Sequence, residues 1–174
     1  MRWTDLLNDE IHYNYMVADK LLDMVDDDSL GWKPESGDNW MTTGQLVMHI
    51  TNACGASCKG FVTGDWGLPE GVSMDDMSPD EMLPPAEAMP TVEGVAQAKE
   101  LLAADKEVAL AMVAQAGEDA LENQSAPAPW DPSDVKLGHR LLSMVGHLNN
   151  HKGQLYYYLK LQGKPVNTMH YYGM

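Results

Sequence analysis

Helical periodicity is the feature that most constrains how this chain can fold. Apolar residues recur at intervals of three and four in four segments, the spacing that places them on one face of an α-helix. These segments run from about residue 4 to 25, 45 to 61, 91 to 115 and 137 to 162. Convincing alternation of apolar and polar residues, typical of strands, is missing from the sequence, as is any internal repeat. The pattern predicts an all-α four-helix bundle that forms one domain over residues 1–174.

The second predicted helix carries both a start signal and a packing signal. It begins at a capping box, in which Thr42 is the N-cap residue and Gln45 occupies position N3. Its second half is dense in small residues, which would let another helix approach closely: Ala53, Gly55, Ala56 and Ser57.

The segment 62–90, rich in glycine and proline, separates the second predicted helix from the third. A connection of this length is uncommon inside a compact domain, and here it predicts a crossover along the bundle. Gly117 is expected to stop the third helix, and Gly163 followed by Pro165 to stop the fourth. The acidic runs Asp26–Asp28 and Asp75-Asp76 lack the ligand spacing of a calcium loop and are predicted to be solvated.

Charge and composition exclude several functions. The chain has 26 acidic against 11 basic residues, a formal net charge of −15. This balance disfavours nucleic acids and anionic membranes as partners. The first ten residues lack the apolar run of a signal peptide, and no segment is apolar enough over about 18 residues to cross a bilayer. Two cysteines are too few for a disulfide framework, so we expect a reduced, cytoplasmic setting.

Two histidines four residues apart, His147 and His151, are the strongest candidates for a functional site. On an α-helix this spacing places both side chains on one face, about 40° apart. Two imidazoles so placed can bind one divalent metal ion. His49, which lies among apolar residues of the second predicted helix, is the best candidate for a third ligand. The spacing alone is equally compatible with ordinary core or surface histidines.

Three histidines would leave one or more positions of the metal open to water or a substrate, the pattern of a catalytic site. His139 lies about 80° and about 120° around the helix from the other two histidines of its segment, so it is not expected to join them. Cys54 and Cys58 lie about 140° and about 180° from His49 on a continuous helix, and we expect them to be buried. His12 is expected to face solvent, and His170 to lie in a tail.

Three motifs make the chain similar to the DinB-like proteins, which are metal-binding four-helix bundles. They are WMTTGQLVMHI at 40–50, HLNNHKGQL at 147–155, and YLKLQG at 158–163 with a proline two residues later. The resemblance covers the whole length in helix order, although segment 62–90 matches no recognised pattern. It implies a divalent metal, zinc or nickel, bound by His49, His147 and His151. Gln154 and Gln45 are then expected to support these ligands or to line the pocket.

The resemblance also implies a function and an assembly. Some DinB-like proteins join a low-molecular-weight thiol, such as bacillithiol or mycothiol, to electrophiles, and homodimers are expected. We therefore expect a metal-dependent thiol S-transferase that acts on a small-molecule substrate. Two alternatives stay open: a non-catalytic bundle that binds a metal or ligand, and a metal-dependent hydrolase, which would need a general base near the metal.

Overall fold

The computed structural model describes residues 2–69, 71–72, 74, 77–82 and 84–174. Within these ranges the chain is helical and forms no strand, which confirms the all-α prediction. Two isolated antiparallel bridges, Ser125 with Lys136 and Ala128 with Asp131, order the turn before the last long helix. The helices are α1 (Trp3–Leu22), α2 (Thr43–Ile50), α3 (Gly55–Thr63), α4 (Pro79–Met82), α5 (Val95–Asn123), α6 (Leu137–Leu161) and α7 (Thr168–Tyr171).

The bundle consists of α1, the α2–α3 pair, α5 and α6. Helices α1 and α3 each pack against both α5 and α6, and α2 packs against α6. Each helix buries its apolar stripe in a shared core, as the periodicity predicts. The fully buried residues include Leu7, Ile11, Leu46, Ile50, Cys58, Leu102, Val113, Leu141, Leu148 and Leu155. None of the described helices has the length and apolarity needed to cross a membrane.

The single second helix predicted from the sequence is wrong, because the chain forms α2 and α3 with a break at residues 51–54. At the break, Cys54 has φ −120° and ψ −61°, outside helical geometry. The carboxylate of Asp105, on α5, accepts hydrogen bonds from Gly55 N and Ala56 N at 2.9 Å each. A buried carboxylate from another helix therefore caps α3, and no local pattern signals it.

Close approach of α3 and α5 explains the small residues at the start of α3. A Cβ atom at Gly55 would lie 2.1 Å from the backbone oxygen of Asp105, closer than any side chain can pack. The prediction that small residues admit a neighbouring helix is confirmed at this position.

The predicted helix ends are confirmed in part. Thr42 and Gln45 form the capping box that starts α2. Gly117 leaves helical geometry, with φ 70° and ψ 169°, but a further helical turn follows to Asn123. That turn places the Glu118 carboxylate on the start of α1, where it accepts hydrogen bonds from Trp3 N at 2.7 Å and from Thr4 N at 3.0 Å.

Of the two acidic runs, Asp26–Asp28 is exposed, as predicted. The pair Asp75-Asp76 lies outside the described residues.

Candidate metal centre

Three imidazoles meet where α2 packs against α6. His147 and His151 project from one face of α6, and His49 projects towards them from α2. The Nε2 atom of His49 lies 3.2 Å from that of His147 and 3.1 Å from that of His151. The Nε2 atoms of His147 and His151 are 2.7 Å apart. The three nitrogens therefore converge on one point.

These separations fit ligands of a single metal ion. Two nitrogens bound at about 2.05 Å around a tetrahedral zinc ion lie about 3.3 Å apart. The two separations that involve His49 are close to this value, and the 2.7 Å between His147 and His151 is shorter. Hydrogen bonding accounts for the cluster less well, because a neutral imidazole has one N–H and cannot aim it at two partners at once. Among the described residues no cysteine or carboxylate joins the three histidines. The cluster can hold a metal ion and would leave further coordination positions open.

A hydrogen bond at the outer side of the cluster orients the ring of His151. The Nδ1 atom of His151 lies 2.7 Å from Oε1 of Gln154, one turn further along α6. A carboxamide oxygen only accepts, so Nδ1 carries the proton and Nε2 keeps its lone pair. The backbone of Ala53, in the break between α2 and α3, acts to raise the pKa of His147.

The surroundings keep the three imidazoles neutral. Burial, together with the neighbouring rings of His151 and His147, lowers the pKa of His49 to about 4. Burial also lowers the pKa of His147 and of His151, although the backbone of Ala53 and the hydrogen bond to Gln154, respectively, act in the opposite direction. A lowered pKa favours the neutral imidazole at pH 7, which is the form that binds metals.

Gln45, the other glutamine expected near the metal, is engaged elsewhere. Its Oε1 accepts a hydrogen bond from Thr42 N at 2.8 Å, and its Nε2 donates to the backbone oxygen of Met89 at 2.9 Å. These bonds fix the start of α2, one turn before His49, to the end of the crossover segment. Gln45 thereby supports the helix that carries His49 rather than the imidazole itself.

The remaining histidines lie away from the cluster. His12 and His139 are exposed, and the ring of His139 packs edge-on against Trp3, with 5.1 Å between centroids. His170 lies in α7, where its Nδ1 accepts from Asn167 N at 3.2 Å.

Cys54 and Cys58 are fully buried free thiols with 3.9 Å between their sulfur atoms. Their predicted burial is confirmed, although the continuous helix used to derive their directions does not exist.

Gln154 also lines a cavity of about 630 Å³. Its walls are largely aromatic and apolar and include Trp32, Trp40, Tyr157, Tyr158 and Leu161. Sequence reasoning did not find this cavity, because its walls come from the α1–α2 connection and from α6, which are far apart in the chain.

The helical bundle with a three-histidine centre defines a class of metal-site protein, and comparison with known proteins identifies the family. The model of the DinB superfamily matches residues 10–155, a range that includes all three histidines. The chain belongs to the DinB superfamily. Neither the curated proteins nor the solved structures contain a significant match to it.

Proposed function

We propose that this protein is a divalent-metal-dependent transferase that joins a low-molecular-weight thiol to small electrophiles. The observation that carries the proposal is the convergence of three neutral imidazole nitrogens with further coordination positions left open. A metal ion held there would lower the pKa of a bound thiol and keep it as the thiolate, which is the nucleophilic form. Zinc or nickel fits the three nitrogen donors.

The side chains around the cluster have distinct parts in this reaction. His49, His147 and His151 hold the metal, and Gln154 keeps His151 in the tautomer whose Nε2 can bind. The aromatic cavity that Gln154 lines would give an apolar electrophile a place to bind one turn along α6 from His151. With an epoxide, the carbon–sulfur bond forms as a carbon–oxygen bond breaks, and the proton lost by the thiol ends on the new alcohol.

To test the transferase activity, metal-loaded protein is incubated with bacillithiol or mycothiol and an epoxide or chloroaromatic. The thiol conjugate is then measured by mass spectrometry. We expect conjugate with wild-type protein and with His139→Ala, and background levels with His151→Ala. A bound metal without conjugate formation in any combination would contradict the transferase and favour a non-catalytic metal-binding bundle.

We propose further that the protein acts in the cytoplasm, where a thiol co-substrate stays reduced, and that it forms a homodimer. Sedimentation equilibrium tests the dimer: the wild-type protein should sediment as two copies, and a monomeric wild-type protein would contradict it.

A further inference from the structure

Lys152 is an unusual residue on the face of α6 that points away from the metal centre. It directly follows His151, so its side chain leaves the helix about 100° further round. Only 1% of its surface is exposed. Buried lysines are rare unless their charge is paired, so the surroundings of this ammonium need an explanation.

The surroundings satisfy the Lys152 ammonium incompletely. Its Nζ atom donates one long hydrogen bond, 3.3 Å, to Oδ1 of Asn14. It also lies 5.4 Å and 5.5 Å from the ring centroids of Tyr13 and Tyr171. An ammonium has three N–H donors, and within the described part of the chain the structure gives it this single hydrogen bond. Lys152 therefore retains capacity to donate to a ligand.

A cavity of about 420 Å³ adjoins this ammonium. Lys152 lines it together with Asn149, whose carboxamide can also donate a hydrogen bond. Other walls are apolar or aromatic and include Leu142, Val145 and Tyr172. The cavity thus combines buried donors with walls suited to an organic ligand rather than a bare ion.

We propose that this cavity binds a small monocarboxylate with an aromatic or apolar body. The carboxylate accepts hydrogen bonds from Lys152 and Asn149, and the body packs against the tyrosine rings and Leu142. Glu10 lines the same cavity, and its negative charge disfavours a dianion such as phosphate more strongly than a monoanion. This site is separate from the metal centre and does not depend on the transferase reaction.

The rival explanation is a purely structural lysine that ties α1 to α7 through the two tyrosine rings. Lys152→Met distinguishes the ligand site from a structural lysine, because methionine fills a similar volume without the charge. Lys160→Met is the matched control: Lys160 lies on the same helix, makes a similar contact with the Tyr156 ring at 5.3 Å, and does not line the cavity.

The experiment measures benzoate binding to the full chain by calorimetry and by the shift in melting temperature. We expect benzoate to bind and raise the melting temperature of wild type and Lys160→Met, and to do neither for Lys152→Met. Benzyl alcohol and inorganic phosphate should produce smaller shifts than benzoate. Absence of benzoate binding to wild type, or equal binding to Lys152→Met, would overturn the proposal.

A second variant keeps the proposal testable if Lys152→Met does not fold. Glu10→Gln removes the negative charge from the cavity while keeping an oxygen that can accept from Asn14 Nδ2. Benzoate should bind severalfold more tightly to this variant than to wild type. Unchanged or weaker binding would show that no carboxylate occupies the cavity beside Lys152.

Discussion

Both faces of α6 bury nitrogen-containing side chains, but the two sets of side chains suit ligands of opposite charge. On one face, His147 and His151 meet the imidazole of His49, and on the other, Lys152 lies between tyrosine rings. Burial lowers the pKa on both faces, since it disfavours the protonated, charged form of either side chain.

The ordinary basicity of the side chains makes the main difference between these faces. An imidazole has an ordinary pKa of 6.5, so burial favours three neutral rings at pH 7, whose lone pairs suit a cation. Lys152 starts from a pKa of 10.5, and Glu10 nearby raises it against the larger effect of burial, which favours the ammonium. A charged ammonium offers donors, which suit an anion. Burial alone therefore does not tell which ligand a basic site takes.

Removal of a metal ligand should give the largest effect on the metal face. His49→Ala deletes one of three converging nitrogens, so zinc affinity should fall by more than the roughly 10–100-fold typical of losing a supporting partner. Competition titration with a chromophoric chelator measures this change. His139→Ala, an exposed histidine on α6, should leave the affinity unaltered, and an equal loss in both variants would rule out the assigned ligand set.

Loss of the Gln154 contact should have a smaller effect on the same face. Gln154→Ala frees the His151 ring and its tautomer, so zinc affinity should fall by about 10–100-fold. Gln154→Glu keeps an oxygen acceptor for Nδ1–H and should retain the affinity. The exposed Asn150→Ala serves as the control. If Gln154→Ala binds zinc as tightly as wild type, the hydrogen bond at 2.7 Å does not orient the ligand.

A buried hydrogen bond that joins α1 to the carboxylate capping α3 should contribute to folding stability. The Tyr15 hydroxyl donates to the Asp105 carboxylate at 2.6 Å, and Asp105 caps the helix that follows Ala53. Tyr15→Phe should lower the free energy of unfolding by about 1.5–3 kcal/mol, typical of a hydrogen bond to a charged group. Denaturant titration measures it.

The control variant, Tyr13→Phe, removes a hydroxyl on the Lys152 face of α6. Tyr13 donates a long hydrogen bond, 3.4 Å, to the backbone oxygen of Tyr172 in an exposed position. Tyr13→Phe should change the free energy of unfolding by less than about 0.5 kcal/mol. If Tyr13→Phe and Tyr15→Phe lower the free energy of unfolding equally, the buried hydrogen bond to Asp105 stabilises the fold no more than the exposed one does.

The smallest effect on stability is expected from Asp131, which lies in the turn before α6. Hydrogen bonds from Ser133 and from the Arg140 guanidinium lower the pKa of Asp131 to about 2. A carboxylate whose pKa is lower in the folded state stabilises the fold above its unfolded pKa, about 3.9, and this contribution disappears as the pH falls towards 2. Asp131→Asn should therefore be slightly less stable than wild type at pH 7 and equally stable near pH 2.

Denaturant titrations at several pH values measure that difference. Asp28→Asn removes an exposed carboxylate elsewhere and controls for net charge. A stability gap between Asp131→Asn and wild type that does not change with pH would contradict the assignment of the effect to the Asp131 carboxylate.

Local patterns in the sequence predicted those parts of the molecule that depend on neighbours within one helix. The bundle follows from apolar periodicity, and the capping box from Thr42 and Gln45. The pairing of His147 with His151 follows from their spacing of four. The position of His49 among apolar residues made it the best candidate for their partner, and the resemblance to DinB-like proteins supported that choice. The structure brings its Nε2 within 3.2 Å of both.

Features that depend on contacts between distant segments could not be predicted in this way. The break between α2 and α3 forms because Asp105, about fifty positions later, caps α3. The burial of Lys152 depends on Tyr13 and Tyr171, which come from opposite ends of the chain.

The most direct test of the metal centre is X-ray absorption at the zinc edge on protein loaded with one equivalent of zinc. The convergence of three imidazoles predicts three nitrogen ligands at about 2.0–2.1 Å, at least one further light-atom ligand from solvent, and no sulfur. His151→Ala should lose one imidazole from this shell. A zinc ion bound through sulfur, or a spectrum identical in wild type and His151→Ala, would contradict the account.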